Sequence, residues 1–265
     1  MIVALLRRSF GRARGLLLPL AAVLTVFQIL VVSAAAYVEQ HQGFSSLLAF
    51  LPPFVQQAMG GVFSSFGAMV AFGYFHPVVI TVFVGTAIVV ASEPAADVEM
   101  GLVDLVLARP VRRAHIVTRS VLMVVLTTAT LAGLMVAASW STMRGLVAGG
   151  TALPASVLLR LAANLVALAW AVGAAALAAS CLMRRRAAAA GSVAIAALAV
   201  YVLNFLADLW PRLRPLVPLS PFHYYRPLAI VSGQGAEWRG DVWLLVGGAA
   251  VFCGIAYVAF DRRDV

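Results

Sequence analysis

The chain has 265 residues, of which 63% are hydrophobic and only 11% charged, with a formal net charge of +9. That balance excludes an ordinary soluble globular domain. All 19 basic residues are arginine, so the lysine that a Walker A loop needs for nucleotide phosphates is missing and the chain is no self-sufficient P-loop ATPase. No basic stripe with interleaved aromatics exists, and no nucleic-acid partner is expected.

In chain order, residues 2–14 form an amphipathic pattern, with Arg7, Arg8, Arg12 and Arg14 against Ile2, Leu5, Leu6 and Phe10. Residues 1–15 therefore predict a short interfacial helix. The run Arg7-Arg8-Ser9-Phe10, followed by apolar residues and Ala34-Ala35-Ala36, imitates an export signal. The apolar run from Leu16 to Val38 is longer than a signal core, so an uncleaved span is expected. Five further stretches match the length needed to cross a hydrocarbon core of about 30 Å. The six expected spans are 16–38, 68–91, 116–140, 158–182, 187–209 and 242–260. The second is expected to kink at Pro77. Pro52-Pro53 interrupt the apolar stretch before it, so residues 44–66 predict an interfacial or re-entrant segment. The fourth and fifth spans are joined by little more than Met183 to Arg186, which forces an antiparallel hairpin. The outer loop, 210–241, is rich in proline and aromatic residues and predicts short interfacial half-helices.

Arginine placement sets the expected orientation. Thirteen arginines fall on one side of alternating spans: four before the first span, Arg109, Arg112, Arg113 and Arg119, then Arg184 to Arg186, and Arg262 and Arg263. Arg144, Arg160, Arg212, Arg214, Arg226 and Arg239 fall on the other. Arginine-rich short loops stay cytoplasmic, so both termini are expected inside a bacterial cytoplasmic membrane, with anionic lipid as a surface partner. The expected fold is a single all-α transmembrane domain over 1–265. Arg119 and Arg160, near span ends, are expected to snorkel.

The most specific local pattern covers 93–113. Val98, Leu102, Leu105 and Val106 share one helical face, with Asp97, Gly101 and Asp104 beside it. Glu93 and Pro94 suit a helix start, and Arg109-Pro110 a stop. A short amphipathic helix over 97–107, within a loop over 92–115, is the reading from periodicity alone. This segment resembles the cytoplasmic loop of ABC type-2 (ABC-2) exporter permeases at Glu93, Glu99, Gly101, Leu105, Leu107, Pro110 and Arg113. Ser92 and Leu102 depart from the family pattern. The run Leu219-Ser220-Pro221-Phe222-His223-Tyr224-Tyr225 and the segment Phe260 to Asp264 are also similar to that family.

The resemblance implies a permease subunit that pairs with a second permease chain, identical or related, and docks two separate ATPase subunits. ATP and Mg would sit on those subunits and no cofactor on this chain. It further implies that 97–108 is a coupling helix and that the N-terminal amphipathic helix touches the same partner. The implied coupling residues are Glu93, Asp97, Glu99, Gly101, Asp104, Leu105, Pro110 and Arg113.

Polar residues inside spans are the other candidates. Gln28, Asn164 and Asn204 would line a pathway or bond between helices. Asp208 is placed to pair with Arg212. Histidine and cysteine spacings give no metal site, and Cys181 and Cys253 read as apolar fillers. No nucleophile motif points to an enzyme. Two alternatives are an ion-coupled secondary carrier, which needs acids embedded in the spans, and a non-transporting membrane scaffold or sensor.

Overall fold

A computed structural model describes residues 2–41, 61–101, 113–147, 152–233 and 238–263. Among these residues no strand occurs. The helices in order are α1 (Ile2–His41), a 3-10 turn (Val62–Ser64), α2 (Phe66–Phe75), α3 (Pro77–Ala91), α4 (Glu93–Glu99), α5 (Arg113–Leu146), α6 (Ala155–Leu182) and α7 (Arg186–Leu209). Two 3-10 segments (Pro211–Leu219, Pro221–Tyr224), α8 (Pro227–Val231) and α9 (Trp238–Asp261) follow. Six helical stretches are long and apolar enough to cross a membrane, with α2 and α3 together forming the second. The class of protein is therefore an all-helical one with the makings of a multi-pass membrane protein.

Each of the six overlaps its expected span, the first beginning well before Leu16 because α1 starts at Ile2. Pro77 breaks the second as anticipated. His76 is extended between α2 and α3 (φ −55°, ψ 134°), and its Nδ1 accepts the Val78 N–H at 3.3 Å to cap α3. The hairpin between α6 and α7 turns on Met183 to Arg185 alone. Short helical pieces occupy the segment between α7 and α9, in keeping with its prolines.

Two expectations are corrected. Residues 2–15 do not form a separate helix: α1 continues unbroken through Gly11, Gly15 and Pro19. Ser9 and Arg12 on this stretch bond to α4, which holds it in line with the rest of α1. A short helix starts at Glu93, four residues before the expected helix start at Asp97, and ends at Glu99; the rest of that expected helix, from 102 onward, lies outside the described residues. Gly101 adopts φ +64°, a left-handed conformation that glycine takes without a Cβ penalty, and its N–H bonds back to the Val98 carbonyl at 3.0 Å. α4 thus stops inside the stretch of apolar periodicity. Most of 44–66 lies outside the described residues, as do Asp104, Leu105 and Pro110.

α6 is the central helix: 67% of its span window is buried, against 11% for α7. It packs on α9, α5 and α3, while α1 packs chiefly on α5. Alanines such as Ala162, Ala169, Ala174 and Ala176 are buried along α6 and let neighbouring helices approach closely. Several hydroxyls inside the bundle are satisfied locally, although that of Thr86 is not. Ser92, Thr127, Thr128 and Ser139 each donate to the carbonyl four residues earlier. No water is needed for them in an apolar interior.

Candidate functional site

The chemistry concentrates at the end of the bundle where α4 lies. Glu93 and Asp97 are four residues apart on α4, so they share one face, and that face points inward. Both are buried. Arg119, on the first turns of α5, reaches between them: Nη1 is 2.9 Å from Asp97 Oδ2 and Nη2 is 3.4 Å from Glu93 Oε2. Ser9 of α1 donates to Glu93 at 2.7 Å, and Arg12 lies 3.6 Å from Asp97 at the edge. Two carboxylates and two guanidiniums thus balance in charge. Arg119 does not snorkel as expected; only 6% of its side chain is exposed. The physical reason is that two buried acids offer closer compensation than the surface does. Arg119 Nε and Nη2 have no hydrogen-bond partner, so the pairing is strong in charge and incomplete in geometry.

A second set of contacts locks helix ends around α4. The Ala95 N–H, one of the unpaired donors of the first turn, is accepted by Ser180 Oγ of α6 at 2.8 Å. Glu99 Oε2 accepts the N–H of Arg186 at 2.9 Å, placing a carboxylate at the positive end of α7. Arg186 in turn donates to the Val89 carbonyl of α3 at 3.1 Å. Arg263, just past α9, donates to the carbonyls of Ser180, Cys181 and Met183 and so caps the negative end of α6. Burial pushes its pKa below the ordinary arginine value; the adjoining Cys181 acts in the opposite sense and Arg184 reinforces the shift. Arg113 donates to the carbonyls of Asp261 and Arg263. Five long helices therefore converge on one seven-residue helix and its surroundings.

Of the residues singled out for coupling, the structure brings Glu93, Asp97 and Glu99 together on α4, with Gly101 just past its end, whereas Arg113 starts α5 and bonds the end of α9. Glu99 and Gly101 are exposed, whereas Glu93 and Asp97 face the interior. Sequence reasoning missed Ser9, Arg12, Arg119, Ser180 and Arg263 as partners. One signal was available: Arg119 is a charge inside an apolar run, and an acidic pair at helical spacing precedes it.

At the opposite end, the intramembrane polar candidates separate. Asn164 donates to the Tyr224 carbonyl at 3.2 Å, and Asn204 donates to Ser220 Oγ at 2.6 Å. Each ties a span to the segment between α7 and α9. Tyr225 is buried, donates to the Tyr74 carbonyl at 3.0 Å, and has its phenol pKa pushed up by burial and then by Tyr74. Gln28 is fully buried on α1 with neither amide atom bonded. It fits against Gly73 of α2, where a Cβ would stand 2.5 Å from Gln28 Oε1. Arg160 lies over the Trp238 ring at 5.6 Å, a cation–π contact at a span end. The Asp208 side chain is outside the described residues, so its pairing with Arg212 is too. Among the described residues no cluster of His, Cys, Asp and Glu suits a metal.

Compared with protein-family models and with curated proteins, the chain matches none.

Proposed function

We propose that the chain is the membrane-spanning subunit of an ATP-driven exporter of the ABC type-2 kind, working with a second permease chain and two separate ATPase subunits. In this reading the α4 end faces the cytoplasm of a bacterial cell, both termini lie on that side, and ATP with Mg is bound by the ATPase. The observation that carries it is the anchoring of α4. A short helix between the second and third spans is joined by buried charge to α1 and α5, and by helix caps to α6 and α7. A push on its exposed side, where Glu99 and Met100 lie, would be passed to several spans as one body. The arginine distribution and the resemblance over 93–113 support the orientation and the partner class.

The test has two parts. With Cys181 and Cys253 replaced by serine, Met100→Cys should resist an impermeant maleimide in intact cells and react once the membrane is opened. With a P-loop ATPase co-expressed, the pair should co-purify, and Glu99→Arg with Asp104→Arg should cut the yield of ATPase about tenfold. Labelling from outside, or undiminished co-purification, would overturn the assignment.

An ion-coupled carrier is the second reading, favoured by the burial of Glu93 and Asp97. Their pairing with Arg119, Arg12 and Ser9 weighs against it, because a carrier acid must exchange its cation during transport. Transport that collapses with the proton or sodium gradient while ATP is maintained would favour the carrier.

A further inference from the structure

The strongest unassigned feature is a cleft beside α7. Between α3 and α7 runs an apolar slot of about 220 Å³, walled by Val84, Ile88, Leu198 and Tyr201 among others. From Pro77 to Ile88 it extends about 16 Å at 1.5 Å per residue. Gly85 lies in the wall, and a Cβ there would meet nothing within 4 Å. Away from α4, the slot shares Ile80, Tyr201 and Phe222 with a larger cavity of about 530 Å³. That cavity shares Asn204 and Phe222 with a third, of about 480 Å³. The three adjoin across these shared walls, in a cleft beside α7.

Its chemistry changes along its length. The slot is hydrocarbon, whereas Asn204 and Arg226 line the second cavity and Arg214 and His223 the third. Residues 210–233 hold three arginines and no aspartate or glutamate. Arg226 donates to the His223 carbonyl at 3.2 Å and lies 4.0 Å from Asp241, and its side chain is still 41% exposed.

We propose that this cleft binds an anionic membrane lipid of the phosphatidylglycerol type, an acyl chain in the slot and the phosphate at the Arg226 and Arg214 end. Arginine is suited to phosphate by its forked donors. Charge complementarity favours lipid over a second copy of the chain, which would bring another acid-free, arginine-bearing segment to the same place. The site does not depend on the ATPase pairing, so either assignment can fail alone.

The test uses the full chain, purified and stripped of lipid, and native mass spectrometry. It is titrated with phosphatidylglycerol, with phosphatidylcholine of the same acyl chains, and with glycerol phosphate as a head without a tail. One phosphatidylglycerol per chain is expected, with phosphatidylcholine about tenfold weaker and no competition from glycerol phosphate. Gly85→Leu, which fills the slot, and Arg226→Gln should each weaken retention about tenfold, the scale of one charged hydrogen bond. Because Arg226 also holds His223, Arg214→Gln serves as a second headgroup variant, and thermal unfolding reports whether each variant is folded. Equal retention of the two lipids, or displacement by glycerol phosphate, overturns the proposal. So does a Gly85→Leu protein that keeps its lipid but changes oligomeric state, since a second copy would then occupy the cleft.

Discussion

Replacing Arg119 by methionine removes the cation that, among the described residues, touches both buried acids. Of the described cations Arg12 would remain beside them, 3.6 Å from Asp97 with 37% of its side chain exposed. An exposed partner of that sort contributes about 0–1 kcal/mol. The Ser9 hydroxyl solvates only Glu93. Breaking a buried pair by deleting one member costs about 3–5 kcal/mol, because a charge is left without compensation. Here two carboxylates lose their partner, so Arg119→Met should fall at the upper end of that range. Neutralising the acids as well should reverse most of the loss. The triple variant Arg119→Met, Glu93→Gln, Asp97→Asn is expected within about 1–2 kcal/mol of the native protein, since whole-cluster replacement is often near neutral. The unbonded Nε and Nη2 of Arg119 point the same way, as the native cluster is not fully satisfied. Reversible unfolding in mixed micelles of increasing denaturing detergent would measure both, with the single acid variants completing the cycle. If Arg119→Met costs less than about 1 kcal/mol, or the triple variant is no better than the single one, the buried charge cluster is not what holds α4.

Gly73→Ala should destabilise by about 1–3 kcal/mol, because its Cβ enters the space of the buried Gln28 amide; adding Gln28→Ala should recover much of that, a non-additivity thermal unfolding would detect. Arg263→Gln should cost about 1–2 kcal/mol through lost caps on α6, with increased amide exchange confined to residues near Cys181. Gly101→Ala should cost about 1 kcal/mol, and Gly101→Asn less, since φ is +64° there. Burial, and then Arg226, hold the His223 pKa below its ordinary 6.5, with Asp241 opposing. The His223 Nε2 meets an Arg226 N–H at 3.2 Å, a contact the neutral ring accepts and the protonated ring loses. Its contribution is therefore complete above the unfolded value and disappears as pH falls through the folded one, so His223→Gln should flatten the decline of melting temperature on acidification below about pH 6.5.

The spans were legible because hydropathy over about 20 residues is a property of the chain itself, and so was the break at Pro77, where the missing N–H is written in the residue. The end of α4 was not, since Val98, Leu102, Leu105 and Val106 keep helical spacing past the point where Gly101 turns left-handed. Periodicity reports which residues want burial, whereas the stop depends on a backbone conformation that glycine allows but does not require. The charge cluster was half legible. Glu93 and Asp97 were visible as a spaced pair, but their inward direction follows from Arg119, more than twenty residues away, and from α1 continuing straight past Pro19. Asn164 and Asn204 read correctly as polar groups needing partners, and the partners turned out to be the segment after α7, because its prolines leave carbonyls and hydroxyls unclaimed by regular helix.

The two ends of the bundle differ in how they resist motion. At the α4 end, moving α4 alone would separate Asp97 from Arg119 and Glu93 from Ser9 inside the protein, at several kcal/mol, so α1, α4 and α5 must travel together. The lightly buried α7 is held differently, by Glu99 at its first residue and by Asn204 near its last, with clefts along much of what lies between. Few buried apolar contacts mean a low cost of local displacement. A displacement of α4 would thus reach α7 through the Glu99–Arg186 bond and tilt it, widening or closing the slot lined by Val84 and Leu198. Severing that bond with Glu99→Ala and reading the distance between labels on α3 and α7 separates a tethered α7 from an independent one. A distribution unchanged by Glu99→Ala would place the hinge elsewhere.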